Sequence, residues 1–261
     1  MQLAYYLLKK RHIEFAKGSL KIALVYALVA CMLQLVTGDR SGKIVAKHQP
    51  LKLAAFEAQF QTEKGAGLSL FGVVNSKEQR LDYAVKIPKL LSFLSFGDSD
   101  AEVAGLDQFP KKDWPKVGAL FPIFRLMILC WVLMVAITLL GFYKWWRKSL
   151  FESKWTLRVM VASVLLPQIA NQAGWVAAEM GRYPWIVYNL LRISDGLSKS
   201  VTANQVLGSL VMFTILYFIL FLLFLHLLNE KFKSGPNDVD IGVPYHHLNT
   251  YVSELKHELP H

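Results

Sequence analysis

The chain has 261 residues, of which 54% are hydrophobic and only 18% charged, so it is more apolar and less charged than a soluble globular domain. Its 29 lysines and arginines against 19 acidic residues give a net charge of +10 and a pI near 9.5. Those basic residues crowd the ends of apolar runs, so membrane orientation accounts for the charge and no nucleic-acid partner is expected.

Residues 1–17 are a leading segment carrying Lys9, Lys10, Arg11 and Lys17. Its apolar stretch is too short for a secretory signal, and no small-residue cleavage site follows. Four apolar runs come next. Residues 18–36 are broken only by Lys21, and residues 126–143, 159–178 and 201–229 carry no charge. A helix crossing a hydrocarbon core of about 30 Å needs about 20 residues. The economical reading is four membrane-spanning helices at 18–37, 119–143, 159–179 and 205–228. The expected fold class is therefore all-α integral membrane: four transmembrane helices of a larger bundle, with a large loop between the first and second. Cys31 and Cys130 both fall inside spans, which argues against a disulfide framework.

Four spans put residues 1–17, 144–158 and 229–261 on one side. The loop 144–158 holds Lys144, Arg147, Lys148, Lys154 and Arg158, and Lys231 and Lys233 follow the last span. This excess makes that side cytoplasmic, with Trp145, Trp146 and Trp155 at the inner interface. The opposite loop, 180–204, carries only Arg182, Arg192 and Lys199. The large loop 38–118 then lies on the outer face. Within it Pro50 opens a short amphipathic helix over 51–60. Residues 68–74 and 83–87, around a turn at Asn75 and Ser76, pair as a hairpin. Residues 109–115 give an irregular return to the membrane, and the tail from 234 onward is polar.

Ionisable groups at membrane depth are costly and need a reason. In the third span Gln168, Gln172, Trp175, Glu179 and Arg182 recur at helical steps and share one face. Lipid cannot satisfy that face, so it looks into a bundle or a cofactor cavity, and the spacing leaves both open. In the bundle reading the polar residues hold helices together and Glu179 pairs with Arg182. Pro167 is placed to kink this helix one turn earlier. In the second span Arg125 and Met127 stand two residues apart and point to nearly opposite sides. Met127 read alone is a packing residue, and Arg125 is close enough to the interface to snorkel. His12, His48 and His226 stand at no persuasive ligand spacing. No zinc spacing or phosphate-binding glycine loop occurs.

Several segments together resemble a known family. Gly174-Trp175-Val176-Ala177-Ala178-Glu179-Met180-Gly181-Arg182-Tyr183-Pro184-Trp185 is similar to the signature of subunit I of cytochrome bd-type quinol oxidases. Lys47-His48-Gln49-Pro50-Leu51-Lys52-Leu53-Ala54-Ala55-Phe56-Glu57 resembles the start of that family's quinol-binding loop. Phe124-Arg125-Leu126-Met127 is similar to its low-spin haem motif, and residues 98–106 match late in the loop. These matches occur in family order, and the loop is compact, like the family's short-loop branch.

The resemblance implies a bacterial multi-pass inner-membrane oxidase that oxidises ubiquinol or menaquinol at the outer face and reduces dioxygen to water. Electrons would pass through a low-spin haem b, a high-spin haem b and a haem d, contributing to the proton motive force. It implies that Met127 is an axial ligand of the low-spin haem iron, with Arg125 close by. Glu179 would ligate a high-spin haem iron, with Trp175 between haems and Arg182 near the propionates. Lys52 and Glu57 would contact quinol. A thioether favours ferrous iron and raises its potential, and a carboxylate is a hard anionic ligand. Glu57 suits proton acceptance and Lys52 a hydrogen bond to a quinol oxygen. Lys52 and Glu57 are five residues apart, so their convergence on quinol is implied only by the resemblance.

Two departures stand out. Tyr183 replaces the family's usual Gln before Pro-Trp. The family also has about nine spans, each about 20 residues long, and this chain matches from just before the sixth. The histidine haem ligands lie in the earlier spans. The expected partners are therefore the missing amino-terminal half of subunit I, oxidase subunit II and the lipid bilayer, and the chain is expected to be inactive alone. Apart from the resemblance, the residues also fit a non-catalytic membrane assembly or transporter fragment with no redox centre.

Overall fold

A computed structural model describes residues 2–197 and 200–234. The expectations for Lys199 and for most of the polar tail lie outside the described residues. In chain order the elements are α1 (Gln2–Lys9), α2 (Ile13–His48), α3 (Pro50–Glu57), β1 (Glu63–Lys64), β2 (Leu68–Asn75), β3 (Arg80–Ile87), α4 (Leu90–Phe96) and β4 (Glu102–Val103). Two 3-10 turns, Leu106–Gln108 and Lys111–Asp113, lead into α5 (Val117–Trp146). Then come α6 (Lys154–Ala162), α7 (Leu165–Arg182), β5 (Trp185–Val187), β6 (Leu191–Arg192) and α8 (Ala203–Ser234). Among the described residues four stretches are long and apolar enough to cross a membrane: Ile13–His48, Val117–Trp146, Lys154–Arg182 and Ala203–Ser234. The fold is mostly helical, with small two-stranded antiparallel ladders between helices.

The chain divides into two compact units. One contains α1, the first turns of α2 up to Leu20, and α8. In it Ala4, Tyr6, Ala16 and Leu20 are buried, and the Tyr6 hydroxyl donates to the Phe232 carbonyl at 3.4 Å. No residue of α8 is buried. A helix apolar all round with no protein cover belongs in lipid or against further helices.

The other unit begins at Lys21 and holds the loop and the middle two spans. The apolar run of the first span stops near residue 37, yet α2 continues to His48. Hydropathy marks the thickness of the bilayer rather than the end of a helix. The extension is polar and carries an i,i+4 ion pair between Asp39 and Lys43 at 2.7 Å. It ends at Gln49 because a residue before proline is pushed out of the helical region. Pro50 occupies the first turn of α3, where its missing N–H costs nothing. Ala58 then takes a left-handed φ of 49°, and the Gln59 N–H returns to the Ala54 carbonyl at 2.8 Å to close the helix.

The hairpin expected at 68–87 is present, with Leu68 opposite Ile87 and Asn75 opposite Arg80. The Asn75 side-chain oxygen accepts the N–H groups of Lys77 and Glu78, which fixes the turn. Beneath the loop, Leu51, Ala54, Ala55, Phe56, Phe60 and Leu106 pack against Val117, Leu120 and Phe121 of α5 and Ala177 of α7. Each large apolar side chain buried this way contributes about 1.5–3 kcal/mol. A second small cluster, Ala66, Leu91 and Val103, is tied by Ser92. Its hydroxyl accepts the Ala66 N–H and donates to the Ala101 carbonyl, both at 2.8 Å.

The third span is broken between α6 and α7 at Ser163 and Val164. Pro167 has no N–H to give the carbonyl four residues back, so the ladder lapses at Ser163. Below the break α7 runs without interruption to Arg182 and packs along α5.

Candidate functional site

Three elements of this unit meet: α3 from the loop, the first third of α5, and the last turns of α7. Glu57 closes α3, and its carboxylate is almost fully buried at 4% exposure. It accepts an ion-paired hydrogen bond from the Arg125 guanidinium, 68 residues away in sequence. Phe121 and Phe124 flank that guanidinium, with ring centres 4.9 and 5.6 Å from its carbon. The Phe124 ring stacks on Phe56 at 4.4 Å and 6° between planes, so aromatic rings wall the ion pair. Burial pushes the Glu57 carboxyl above its ordinary value, and the charge and hydrogen bond of Arg125 pull it only part of the way back. The Arg125 Nε is buried and has no hydrogen-bond partner among the described residues.

Two residues along α5, Met127 is half-buried against α7. A Cβ placed on Gly174 would stand 2.9 Å from the Met127 sulfur, so the thioether rests on a helix surface that only glycine leaves open. Much of the polar face of α7 is left uncovered by the described residues. Gln168, Gln172, Trp175, Glu179 and Arg182 are all exposed, Trp175 at 64%. Glu179 and Arg182 form an ion pair with each other, as the bundle reading of the sequence has it. Neither Gln168 nor Gln172 finds a partner among the described residues. Lipid does not satisfy such a face inside an apolar span.

Lys52 sits on the other side of α3 from Glu57. Its ammonium donates to the Ala178 carbonyl at 3.3 Å and lies 5.5 Å from the Phe56 ring centre. Burial lowers its pKa, the charge of Arg182 adds to that, and Glu179 opposes both. Gly181 permits this approach, because a Cβ there would meet Phe56 at 2.8 Å and the Lys52 side chain at 3.2 Å. Lys52 lines a cavity of about 290 Å³ together with Gln49, Arg182, Tyr183, Trp185 and Tyr188. Glu57 does not line it. The structure thus brings Lys52 to Arg182 and Glu179, and Glu57 to Arg125, but does not bring Lys52 and Glu57 into one pocket.

The cavity wall contains residues the sequence did not single out. Trp185 follows the turn after α7 and pairs across the ladder with Arg192. Tyr188 packs edge-on to Trp185 at 6.3 Å. Only the placement of Trp185 in the quoted motif hinted at this wall.

The family model for cytochrome bd terminal oxidase subunit I matches residues 2–236. The chain belongs to that family. It is 32% identical over 242 residues to the cytochrome bd ubiquinol oxidase subunit 1 of Bacillus subtilis strain 168, covering 89% of this chain and 52% of the relative. A putative cytochrome bd menaquinol oxidase subunit I from the same organism is 30% identical over 238 residues, with coverage of 90% and 52%. The cytochrome bd-II ubiquinol oxidase subunit 1 of Escherichia coli strain K12 is 26% identical over 307 residues, with coverage of 92% and 60%. The solved structure of bd oxidase from Geobacillus thermodenitrificans superposes with a TM-score of 0.77 at 30% identity, covering 90% of this chain and 53% of that one. As a bd oxidase subunit I family member with four apolar helices, the chain is a multi-pass membrane protein. It spans about half the length of the curated relatives it matches.

Proposed function

We propose that this chain forms part of a terminal respiratory oxidase that takes electrons from ubiquinol or menaquinol at the outer face of a bacterial inner membrane. Those electrons reduce dioxygen to water and the reaction contributes to the proton motive force. It works with oxidase subunit II and the amino-terminal helices present in its relatives. The observation that carries this reading is the buried Glu57–Arg125 pair. It joins the loop helix to a membrane helix two residues before Met127 and so links a proton-accepting group to a ligand-bearing helix.

Quinol oxidation releases two electrons and two protons. In this reading Lys52 gives a hydrogen bond to a quinol oxygen in the cavity it lines, which favours loss of the hydroxyl proton. Glu57 stands outside that cavity and serves as an onward proton acceptor in a relay. Its carboxyl, raised by burial, is a stronger base than an exposed glutamate, and Arg125 steadies its charged form.

The donors of this chain fit haem b and haem d sites that are completed by other helices. When bound, haem supplies one-electron carriers between quinol and dioxygen and the iron at which dioxygen is reduced. Met127 would hold iron through a soft thioether and Glu179 through a hard carboxylate. The unpartnered Arg125 Nε and the exposed face of Gln168, Gln172, Trp175 and Arg182 supply what propionates and a porphyrin require.

The test is expression of the chain with the preceding helices and subunit II, followed by reduced-minus-oxidised spectra and quinol-dependent oxygen uptake. Haem bands with oxygen uptake are expected, and Met127→Leu should perturb the low-spin band. A colourless preparation from the full set of partners would overturn the reading and favour an assembly or transporter subunit.

A further inference from the structure

One wall of the Lys52 cavity is backed by a contact outside it. β5 and β6 form a short hairpin in which Trp185 stands opposite Arg192 and Val187 opposite Leu191. Trp185, Ile186, Val187 and Tyr188 of this hairpin all line the cavity. The Arg192 guanidinium carbon lies 4.6 Å from the Trp185 ring centre, so the arginine covers the back of the wall-forming indole. Its other contact reaches across the fold. Arg192 pairs with the Asp113 carboxylate at 2.6 Å, 79 residues away, with side-chain exposures of 32% and 13%.

Asp113 is well fixed. It ends the 3-10 turn Lys111–Asp113, and the next residue, Trp114, donates its indole N–H to the Phe109 carbonyl at 2.9 Å and packs on Phe60. Phe60 belongs to the core that seats α3 and therefore Lys52. The hairpin touches that same core through Tyr188, and its far strand is held by the Arg192–Asp113 pair. It contains few residues and projects Leu190 and Leu191 to the exterior. Two strands of this length are not stable by themselves. The chain from Asp113 through Arg192 to Trp185 is thus a tie between the rigid return of the loop and a weak wall.

We propose that Asp113 and Arg192 are positioning residues that hold the 185–192 hairpin against the cavity and thereby set its affinity for the quinol headgroup. This rests on the reading that the Lys52 cavity takes quinol. Neither residue lines the cavity, so neither touches the reacting atoms. Without the pair the hairpin stays covalently attached but loses its registry with α3. Quinol then binds more weakly, while the groups that accept its protons and electrons are unchanged.

The complete complex carrying Asp113→Asn, Arg192→Gln, or the exchanged pair Asp113→Arg with Arg192→Asp tests this through two measurements. Amide hydrogen exchange over residues 185–192 reports the wall without reference to activity. It should speed up at least several-fold in each single variant and recover in the exchanged pair. Steady-state oxygen uptake should show the KM for quinol raised about 3- to 30-fold with kcat near the parent value, as expected when a binding contact of about 0.7–2 kcal/mol is lost. Haem bands should match the parent in all variants. Unchanged exchange, unchanged KM, or loss of haem in proportion to loss of activity would each overturn the tie as a positioning device. If the parent complex shows haem bands but consumes no quinol, the functional reading fails instead, and the hydrogen-exchange result then speaks only to the wall.

Discussion

Glu57 and Arg125 form the one ion pair among the described residues in which both side chains are nearly removed from solvent, at 5% and 12% exposure. The loop helix α3 and the membrane helix α5 are bound through it, beside the stacked rings of Phe56 and Phe124. A pair so enclosed contributes less to stability than it would cost to break, since either partner alone is a charge stranded away from water.

A double-mutant cycle reads that asymmetry. Arg125→Met or Glu57→Leu alone should each destabilise the complete complex by about 3–5 kcal/mol. The double variant, which strands no charge, should lose clearly less than the two singles added together. Heat or denaturant unfolding followed by loss of helical signal provides the comparison. Simple additivity would mean the two groups are not coupled.

The pH dependence of the same carboxyl has a definite sign. Burial raises Glu57 above its ordinary value of 4.5, and Arg125 opposes this without cancelling it. The folded state therefore holds this proton more tightly than the unfolded chain. The stability it brings is complete below the unfolded value and fades as pH rises through the folded one. As a proton acceptor it works only when ionised. Quinol oxidation should rise with pH through a midpoint above the usual carboxylate range. Arg125→Gln should move the midpoint higher still, because the remaining influence is burial. A pH–rate profile of kcat that is flat from pH 4 to 8, in parent and variant alike, would remove Glu57 from the proton path.

Parts of this arrangement were legible in the sequence because they depend on local rules. Uncharged length gave the spans, Asn75 and Ser76 gave the hairpin turn, and Pro167 gave the break in the third span. The helical steps from Gln168 to Arg182 gave the polar face. The extension of α2 to His48 was not legible, because a polar helix carries no hydropathy signal. The pairings Glu57–Arg125 and Asp113–Arg192 were not legible at all. Each joins charges dozens of residues apart, and nothing in the spacing of either partner selects the other. Lys52 and Glu57 show the same limit within one helix. Their five-residue separation turns them to different sides of α3, one to the cavity and one to α5.

Gly174 offers a test of Met127 that stability alone would miss. An added Cβ would lie 2.9 Å from the Met127 sulfur, and that sulfur sits on a flexible, unbranched side chain. Gly174→Ala should therefore change stability by less than about 1 kcal/mol, with the better helix former offsetting a small rearrangement. The thioether must nevertheless move. If Met127 ligates low-spin haem, the complete complex should show a shifted low-spin band or midpoint potential at parental haem content. Gly174→Ala with spectra and potential identical to the parent would make Met127 a packing residue.

Gly181 is less forgiving. A Cβ there would stand 2.8 Å from Phe56 and 3.2 Å from the Lys52 side chain. Phe56 cannot swing aside freely, because its ring is stacked on Phe124 and buried in the core beneath the loop. The strain therefore passes to α3 as a whole, and overpacking of this kind costs about 1–3 kcal/mol. Lys52 is the group with room to yield, being half-buried at the edge of the cavity. Gly181→Ala should thus act on quinol binding before it acts on proton transfer. The expected result is a raised KM with a kcat midpoint on the pH axis close to that of the parent, since the Glu57–Arg125 pair lies on the opposite side of α3. Lys52→Met combined with Gly181→Ala should add little further loss in KM, because both remove the same hydrogen bond. Fully multiplicative effects on KM would show that the glycine serves the cavity by some route other than Lys52.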